Sequence, residues 1–330
     1  MIIVSRCPCR ISLLGGSSDL DWFVNKKGKG FSVGLSVSSY SRVIVGYRGG
    51  NCSRGLLNYS SREEYKSIDS ISHPIIRKCL QKLSVHKPIE LASFGDSLLG
   101  GGLASSSSFI VALIKSLSEL NGVELTNKKI AELACEIEVK DSDGSIGRQD
   151  QYLCALGGIN FLSFRKNKNV SQISHPFITK AITKYANELY LVNTSISRSA
   201  TEQLSNMKSD SSSFNSIEKI LEIAESFISE AESLNNIDLI TDKLESSILQ
   251  SWEIKKSMKG VMNDQLESIQ GKLLEDGFNI IKILGAGGGG YFLARYNGNN
   301  LKESINNLQN LKIYIKKVEI DFDGCKSWQL

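Results

Sequence analysis

The stretch "LLGGGLASSSSFIVALIKSL", residues 98–117, sets three consecutive glycines and four consecutive serines directly before an apolar run that reads as a buried helix. Glycines let a backbone approach a ligand closely or take up positive φ, and serines supply hydroxyls that cap a helix start. The first four N–H groups of a helix lack internal partners and carry the positive end of its dipole, so a glycine-rich entry there favours an anion. Phosphate is the obvious anion. A serine-rich loop that merely caps a helix is the other reading of the same residues.

Working outward, the apolar run predicts a helix over 107–120, stopped by Asn121-Gly122. A second helix is expected from Thr126 as N-cap, with Leu125 and Ile130 spaced for a hydrophobic staple. Its stripe of Ile130, Leu133, Ala134 and Ile137 puts Glu138 beside the apolar face and turns Glu136 away. A carboxylate in that place needs a cation or a metal, or else snorkels to water. Upstream, residues 2–14 read as a strand, and "FSVGLSVSSYSRVIVGY" (31–47) alternates with period two, as a strand pair or one long bent strand would. Downstream, the polar, proline-terminated segment 164–176 is a candidate domain boundary, dividing the chain into 1–170 and 171–330. Two amphipathic helices are expected at 214–235 and 237–258, and a third in "NDQLESIQGKLLEDG", stopped by Gly277. "IIKILGAGGGGYFLARY" (280–296) then reads as strand, five-glycine turn and strand. Two glycine-rich loops in different halves suggest a phosphorylated ligand held in a cleft between domains.

Composition narrows the alternatives. A chain of 330 residues has a prior of about two domains, and 41% hydrophobic with 22% charged residues is ordinary for a globular protein. The net charge of +4 is small and its lysines are dispersed, so no nucleic-acid footprint is expected. The opening "MIIVSRCPCR" meets arginine and proline before an apolar run can form, so neither a signal peptide nor a membrane span is expected and a cytoplasmic location is. Seven scattered cysteines make no disulfide framework, and with three histidines lacking ligand spacing they read as reduced thiols in ordinary packing. Gly100-Gly101-Gly102 lacks the Gly-Lys-Ser/Thr ending of a Walker loop, and no G-x-G-x-x-G opens a helix after a first strand.

Read in order, "CRISLLGGSSDL", "GGGLASSSS", "IGRQDQY" and "GAGGGGYFL" resemble the motifs of the GHMP kinase superfamily, the galactokinase, homoserine kinase and mevalonate kinase group. Within it, "QDQYLCALGGINFLSF", "NTSISRSATEQL", "SWEIKKSM" and "FDGCKSW" are similar to the bacterial D-glycero-D-manno-heptose 7-phosphate kinases. The resemblance implies a two-domain α+β fold with the active site in the inter-domain cleft, and ATP and Mg²⁺ as cofactors. It implies that Gly100, Gly101, Gly102, Leu103, Ala104, Ser105, Ser106 and Ser107 wrap the nucleotide phosphates, and that Ser106 and Glu138 hold the metal. Ala104 stands where the family pattern has glycine, a departure that strains the loop if the position needs positive φ. By the same resemblance Asp150 is the catalytic base, Arg10 lies beside it, and Gly16, Ser17 and Asp19 hold the sugar. Gly287, Gly288 and Gly289 would pass close to nucleotide and substrate. A phosphate on the substrate needs a cationic clamp, for which Arg198, Lys255 and Lys256 are candidates. The implied reaction is phosphorylation of the anomeric C1 hydroxyl of the heptose 7-phosphate, in the service of GDP-heptose and surface glycans. The implied partners are a small sugar phosphate and ATP, with a homodimer also open. A kinase of an unphosphorylated sugar, or a catalytically silent sensor on the same fold, are the readings that compete with it.

Overall fold

The computed structural model of the chain describes residues 1–50, 52–96, 101–139, 146–167, 169–196 and 200–330. Its spine is two long strands, β1 (Ile2–Leu14) and β2 (Lys29–Tyr47), antiparallel along nearly their whole length and linked by the short helix α1 (Asp21–Lys27). The alternation over 31–47 is therefore one long strand. Next come β3 (Gly55–Asn58), β4 (Arg62–Tyr65), α2 (Pro74–Lys82) and β5 (Ile89–Gly95). Helices α3 (Ser105–Leu120), α4 (Asn127–Glu138) and α5 (Gln149–Leu156) follow, then the hairpin β6 (Ile159–Arg165) and β7 (Val170–Ile173). The later half holds α6 (Pro176–Ala186), β8 (Leu189–Asn193), α7 (Ala200–Ser209), α8 (Ser211–Glu232), α9 (Ile237–Lys256) and α10 (Asp264–Glu275). It ends with β9 (Phe278–Ile283), β10 (Tyr291–Tyr296), α11 (Leu301–Asn310), β11 (Tyr314–Lys317) and β12 (Lys326–Gln329).

These strands form two sheets. The first runs β12-β1-β2-β5-β3-β4, with β6 and β7 joined to the other stretch of β2. Residues 29–35 of β2 pair with β6, whereas residues 41–47 pair with β5. A register shift in β1 at Pro8/Cys9, where proline can give no ladder N–H, marks the change. The second sheet is antiparallel, in the order β11-β8-β10-β9. Residue 170, drawn as the domain boundary, is the first residue of β7, and the late strand β12 returns to pair with β1.

Helix α3 packs across β1 and β2, and Ile110, Val111, Leu113, Ile114 and Leu117 on it are wholly buried, each contributing about 1.5–3 kcal/mol of transfer free energy. It ends as its sequence requires, with Gly122 at positive φ and the Val123 N–H returning to the Ser118 carbonyl. Helix α4 starts on Thr126, whose hydroxyl accepts from the Lys129 N–H. Strand β1 crosses between two cores. Ile3 and Cys7 pack in the cluster beneath α3, while Cys9, Ile11 and Leu13 join a cluster shared with the second sheet and α6, α8 and α9. Arg10 thus stands where the two bodies meet. Among the described residues no helix is long and apolar enough to cross a membrane.

Candidate active site

A cavity of about 430 Å³ opens at that meeting place, lined by Arg10, Asp19, Ala104, Glu138, Asp150 and Lys282 among others. A wider, shallower hollow of about 840 Å³ beside α4 reaches none of these six groups.

The approach to α3 forms one wall. Gly102 takes φ +82° and Ala104 φ +60°, so this alanine carries the left-handed backbone that its position demands. Among the described residues no side chain caps the helix, and its first N–H groups have no intrahelical partner. Glycine here serves a contact between loops. A Cβ on Gly102 would lie 2.5 Å from the Leu284 carbonyl oxygen, and one on Gly290 would lie 2.3 Å from that of Gly101. The helix entry and the five-glycine hairpin therefore touch backbone to backbone.

Glu138 closes the last turn of α4 toward the start of α3. Ser106 Oγ donates to its Oε1 at 3.0 Å, while Ser107 Oγ and Gln151 Nε2 donate to its Oε2 at 2.9 and 2.7 Å. Burial pushes this carboxyl above its ordinary range against the three donors. One carboxylate and two hydroxyls are a hard oxygen set that fits Mg²⁺, whose remaining positions waters and nucleotide phosphates would fill. Among the described residues no group of three His, Cys, Asp or Glu gathers as a metal site would.

On the opposite wall Arg10 grips Asp150 with two parallel bonds, Nε to Oδ1 at 2.7 Å and Nη2 to Oδ2 at 2.6 Å. Its Nη1 donates to the Gly102 carbonyl at 2.6 Å and its backbone N–H to the Leu103 carbonyl at 3.0 Å, tying Asp150 and the approach to α3 to one strand. Asp19 accepts from Gln149 twice at 2.9 Å, from the backbone N–H and from Nε2. Burial, then the negative charge of Asp150, pushes its carboxyl up to about 6. Gly147 permits this approach, since a Cβ there would sit 1.9 Å from Asp19 Oδ2. Arg148 pairs with Asp21 behind it. Ser12 Oγ and Gln149 Oε1, both buried, have no partner among the described residues.

The structure thus brings together Arg10, Gly16, Ser17, Asp19, Gly102, Ala104, Ser105, Ser106, Ser107, Glu138, Asp150 and Lys255 on one cavity. Leu103 stands behind it, buried. Gly100 and Arg198 lie outside the described residues. Gly287, Gly288 and Gly289 are not on the cavity wall: they abut Val261, Gln203 and Ile196, and the hairpin's contribution to the lining is Gly285 and Ala286. Lys256 is paired with Glu253 and off the wall, whereas Lys255 donates to the Gly285 carbonyl. Sequence reasoning missed Gln149, Gln151, Trp252 and Lys282. The one signal for Lys282 was a lone cation inside the apolar run "IIKIL".

Residues 71–158 match the sequence profile of the GHMP kinases N terminal domain. The chain is 28% identical to a D-glycero-alpha-D-manno-heptose 7-phosphate kinase of Campylobacter jejuni, over 99% of both chains. It is 29% identical to a homoserine kinase of Clostridium botulinum over 34% of this chain and 37% of that one. In three dimensions it superposes on a D-glycero-D-manno-heptose 1-phosphate kinase from Bacteriodes thetaiotaomicron with a TM-score of 0.76 at 20% identity, covering 99% of each chain. A mevalonate kinase superposes with a TM-score of 0.71 at 16% identity, covering 96% of this chain and 99% of that one.

Proposed function

We propose, from the premise that this chain is an alcohol-accepting phosphotransferase of the GHMP kinase superfamily, that it phosphorylates C1 of D-glycero-D-manno-heptose 7-phosphate. ATP is the donor and the 1,7-bisphosphate the product. The observation that carries the chemistry is the bidentate Arg10–Asp150 pair facing the uncapped start of α3 across one cavity. What supports the substrate is the end-to-end likeness to the Campylobacter jejuni enzyme.

In this reading the anomeric hydroxyl oxygen bonds to the γ-phosphorus as the bond to the β,γ-bridging oxygen breaks, its electron pair leaving with ADP. The hydroxyl proton passes to an Asp150 oxygen, whose second lone pair is free of Arg10. Arg10 keeps Asp150 aimed through its two parallel hydrogen bonds. Asp19, Gln149 and Ser12 offer acceptors and donors to a polyol, and the orphaned Gln149 Oε1 and Ser12 Oγ gain partners when one binds. Ser106 and Glu138 would hold Mg²⁺, which supplies charge neutralisation at the phosphates when bound. In this reading Lys255, on the cavity wall, would meet the distant sugar phosphate. The product would feed GDP-heptose formation in the cytoplasm.

The test is ADP release from MgATP against heptose 7-phosphate, mannose, galactose, fucose and mevalonate, with product phosphate position read by phosphorus NMR. Turnover with heptose 7-phosphate alone and a new C1 phosphate is expected, and Asp150→Ala lowers it about 10²- to 10⁴-fold with ATP affinity retained. Turnover with a free sugar only would discard the substrate, and silence across the panel with ATP bound would discard the kinase.

A further inference from the structure

Lys282 has no part in the assignments above, yet it is a buried cation held by neutral groups. It lies on β9, 7% exposed, and its Nζ donates to the main-chain carbonyls of Ser12 and Leu13, both at 3.1 Å. An ammonium has three N–H donors, so one remains. Among the described residues no carboxylate pairs with it, and the charge that bears on it most is the Arg10 guanidinium, which repels it. Two neutral carbonyls do not offset the burial of a full charge. Burial and Arg10 lower the amine to about 8, which still leaves it mostly charged at neutral pH. The backbone is shaped around this residue too. The β9–β10 ladder shifts register between Leu293, opposite Lys282, and Ala294, opposite Ile280, and such a bulge re-aims a side chain. The lysine lines the cavity wall.

A buried cation with neutral partners, a like charge beside it and an opening onto a cavity is arranged to receive an anion. Two phosphoryl groups could supply one. On a sugar phosphorylated at C7 the acceptor's own phosphate and its reacting C1 hydroxyl lie at opposite ends of the molecule. Arg10 binds both Asp150 and the Gly102 carbonyl, so the space beside it belongs to the reacting end. We propose that Lys282 is a catalytic residue whose third ammonium N–H takes an oxygen of the nucleotide's terminal phosphoryl group and holds it through transfer. The assignment rests on the kinase reading above and is independent of which sugar is the acceptor. Lys282 gives up no proton and makes no covalent bond. It meets the negative charge on the phosphoryl oxygens in a place where water cannot screen it.

The test compares MgATP with MgADP, because only ATP carries the group in question. Calorimetric affinities of both nucleotides are measured for the wild-type chain, K282Q and K282M, alongside steady-state kinetics with whichever acceptor the wild type uses. In K282Q, which keeps amide N–H donors and loses the charge, ATP affinity is expected to fall about tenfold while ADP affinity changes less than about twofold. Turnover is expected to fall on the order of 10²- to 10³-fold with the acceptor KM within about threefold of wild type. Equal losses for ATP and ADP, or none in a folded variant, would reduce Lys282 to a clasp on β1 and overturn the proposal. So would a loss confined to the KM of a phosphorylated acceptor. If K282Q and K282M do not fold, K282R carries the test: retention of the ATP-over-ADP preference is expected, and its disappearance counts against the assignment. Should the wild type turn over no sugar at all, the function proposed above fails and the catalytic role of Lys282 with it, while the ATP and ADP affinities still decide whether Lys282 holds the terminal phosphoryl group.

Discussion

Asp19 accepts two hydrogen bonds from one glutamine and still holds its proton to about pH 6, because burial and the nearby Asp150 charge outweigh those donors. The sign of the consequence follows from which state binds the proton. Folded Asp19 stays protonated over a range in which the unfolded chain has already ionised, so this group's contribution to stability declines as pH rises from about 4 to about 6 and then stays level. A rise of about two pKa units corresponds to about 3 kcal/mol. For catalysis the direction reverses, since a protonated Asp19 loses an acceptor for a sugar hydroxyl. We expect kcat/KM to drop as pH falls through about 6, and Asp19→Asn to flatten that limb at much lower activity. A pH–rate profile level from 5 to 8 in the wild type would exclude the role. At this scale the sequence was legible where a motif names the residue: Arg10, Asp150, Glu138 and even the awkward Ala104 stand on the cavity. Gln149 and Lys282 were not, because each owes its role to a partner at least 130 positions away.

Among the elements, those with local rules were readable. Helix α4 begins on its Thr126 cap, α3 stops at Asn121-Gly122, and the glycine turn joins two strands, each as capping and periodicity require. Strand β7 was hidden. It pairs on one side only and its Ser171, Gln172 and Ile173 are exposed, so no alternation betrays it. The hairpin glycines also serve a contact between loops that the sequence did not announce, since Gly290 faces the Gly101 backbone. This gives a paired prediction. Gly290→Ala, at φ +90° with 2.3 Å to a carbonyl, should cost about 1–3 kcal/mol of stability and weaken ATP binding. Gly271→Ala, in α10 with open space around it, should stabilise by about 0.5–1 kcal/mol and leave ATP binding alone. Urea melts and nucleotide titrations of the two variants read both, and equal effects would refute the loop contact.

For the whole molecule, the cavity is built from distant parts of the chain. Arg10 spans 140 positions to Asp150 and 92 to Gly102, and Lys282 spans 270 and 269 to Ser12 and Leu13. Helices need only near neighbours, whereas these contacts wait on closure of long loops. On dilution from urea, the helical circular dichroism signal should therefore recover before the capacity to bind ATP, in a stopped-flow comparison of the two signals. Simultaneous recovery would show that the cavity forms with its helices. This is also why pairings such as β12 with β1 and Lys282 with Ser12 escaped a reading by windows, which sees periodicity and not closure.

The clasp from Lys282 to the end of β1 has a bearing on how the cell makes this protein. A ribosome that has synthesised the chain only through α9 has already issued the glycine-rich approach to α3, Glu138, Asp150 and Arg10. It has not yet issued the strand that brings the last cation to β1. In the role proposed for Lys282, a chain that ends after α9 would lack the cation that meets the terminal phosphoryl group.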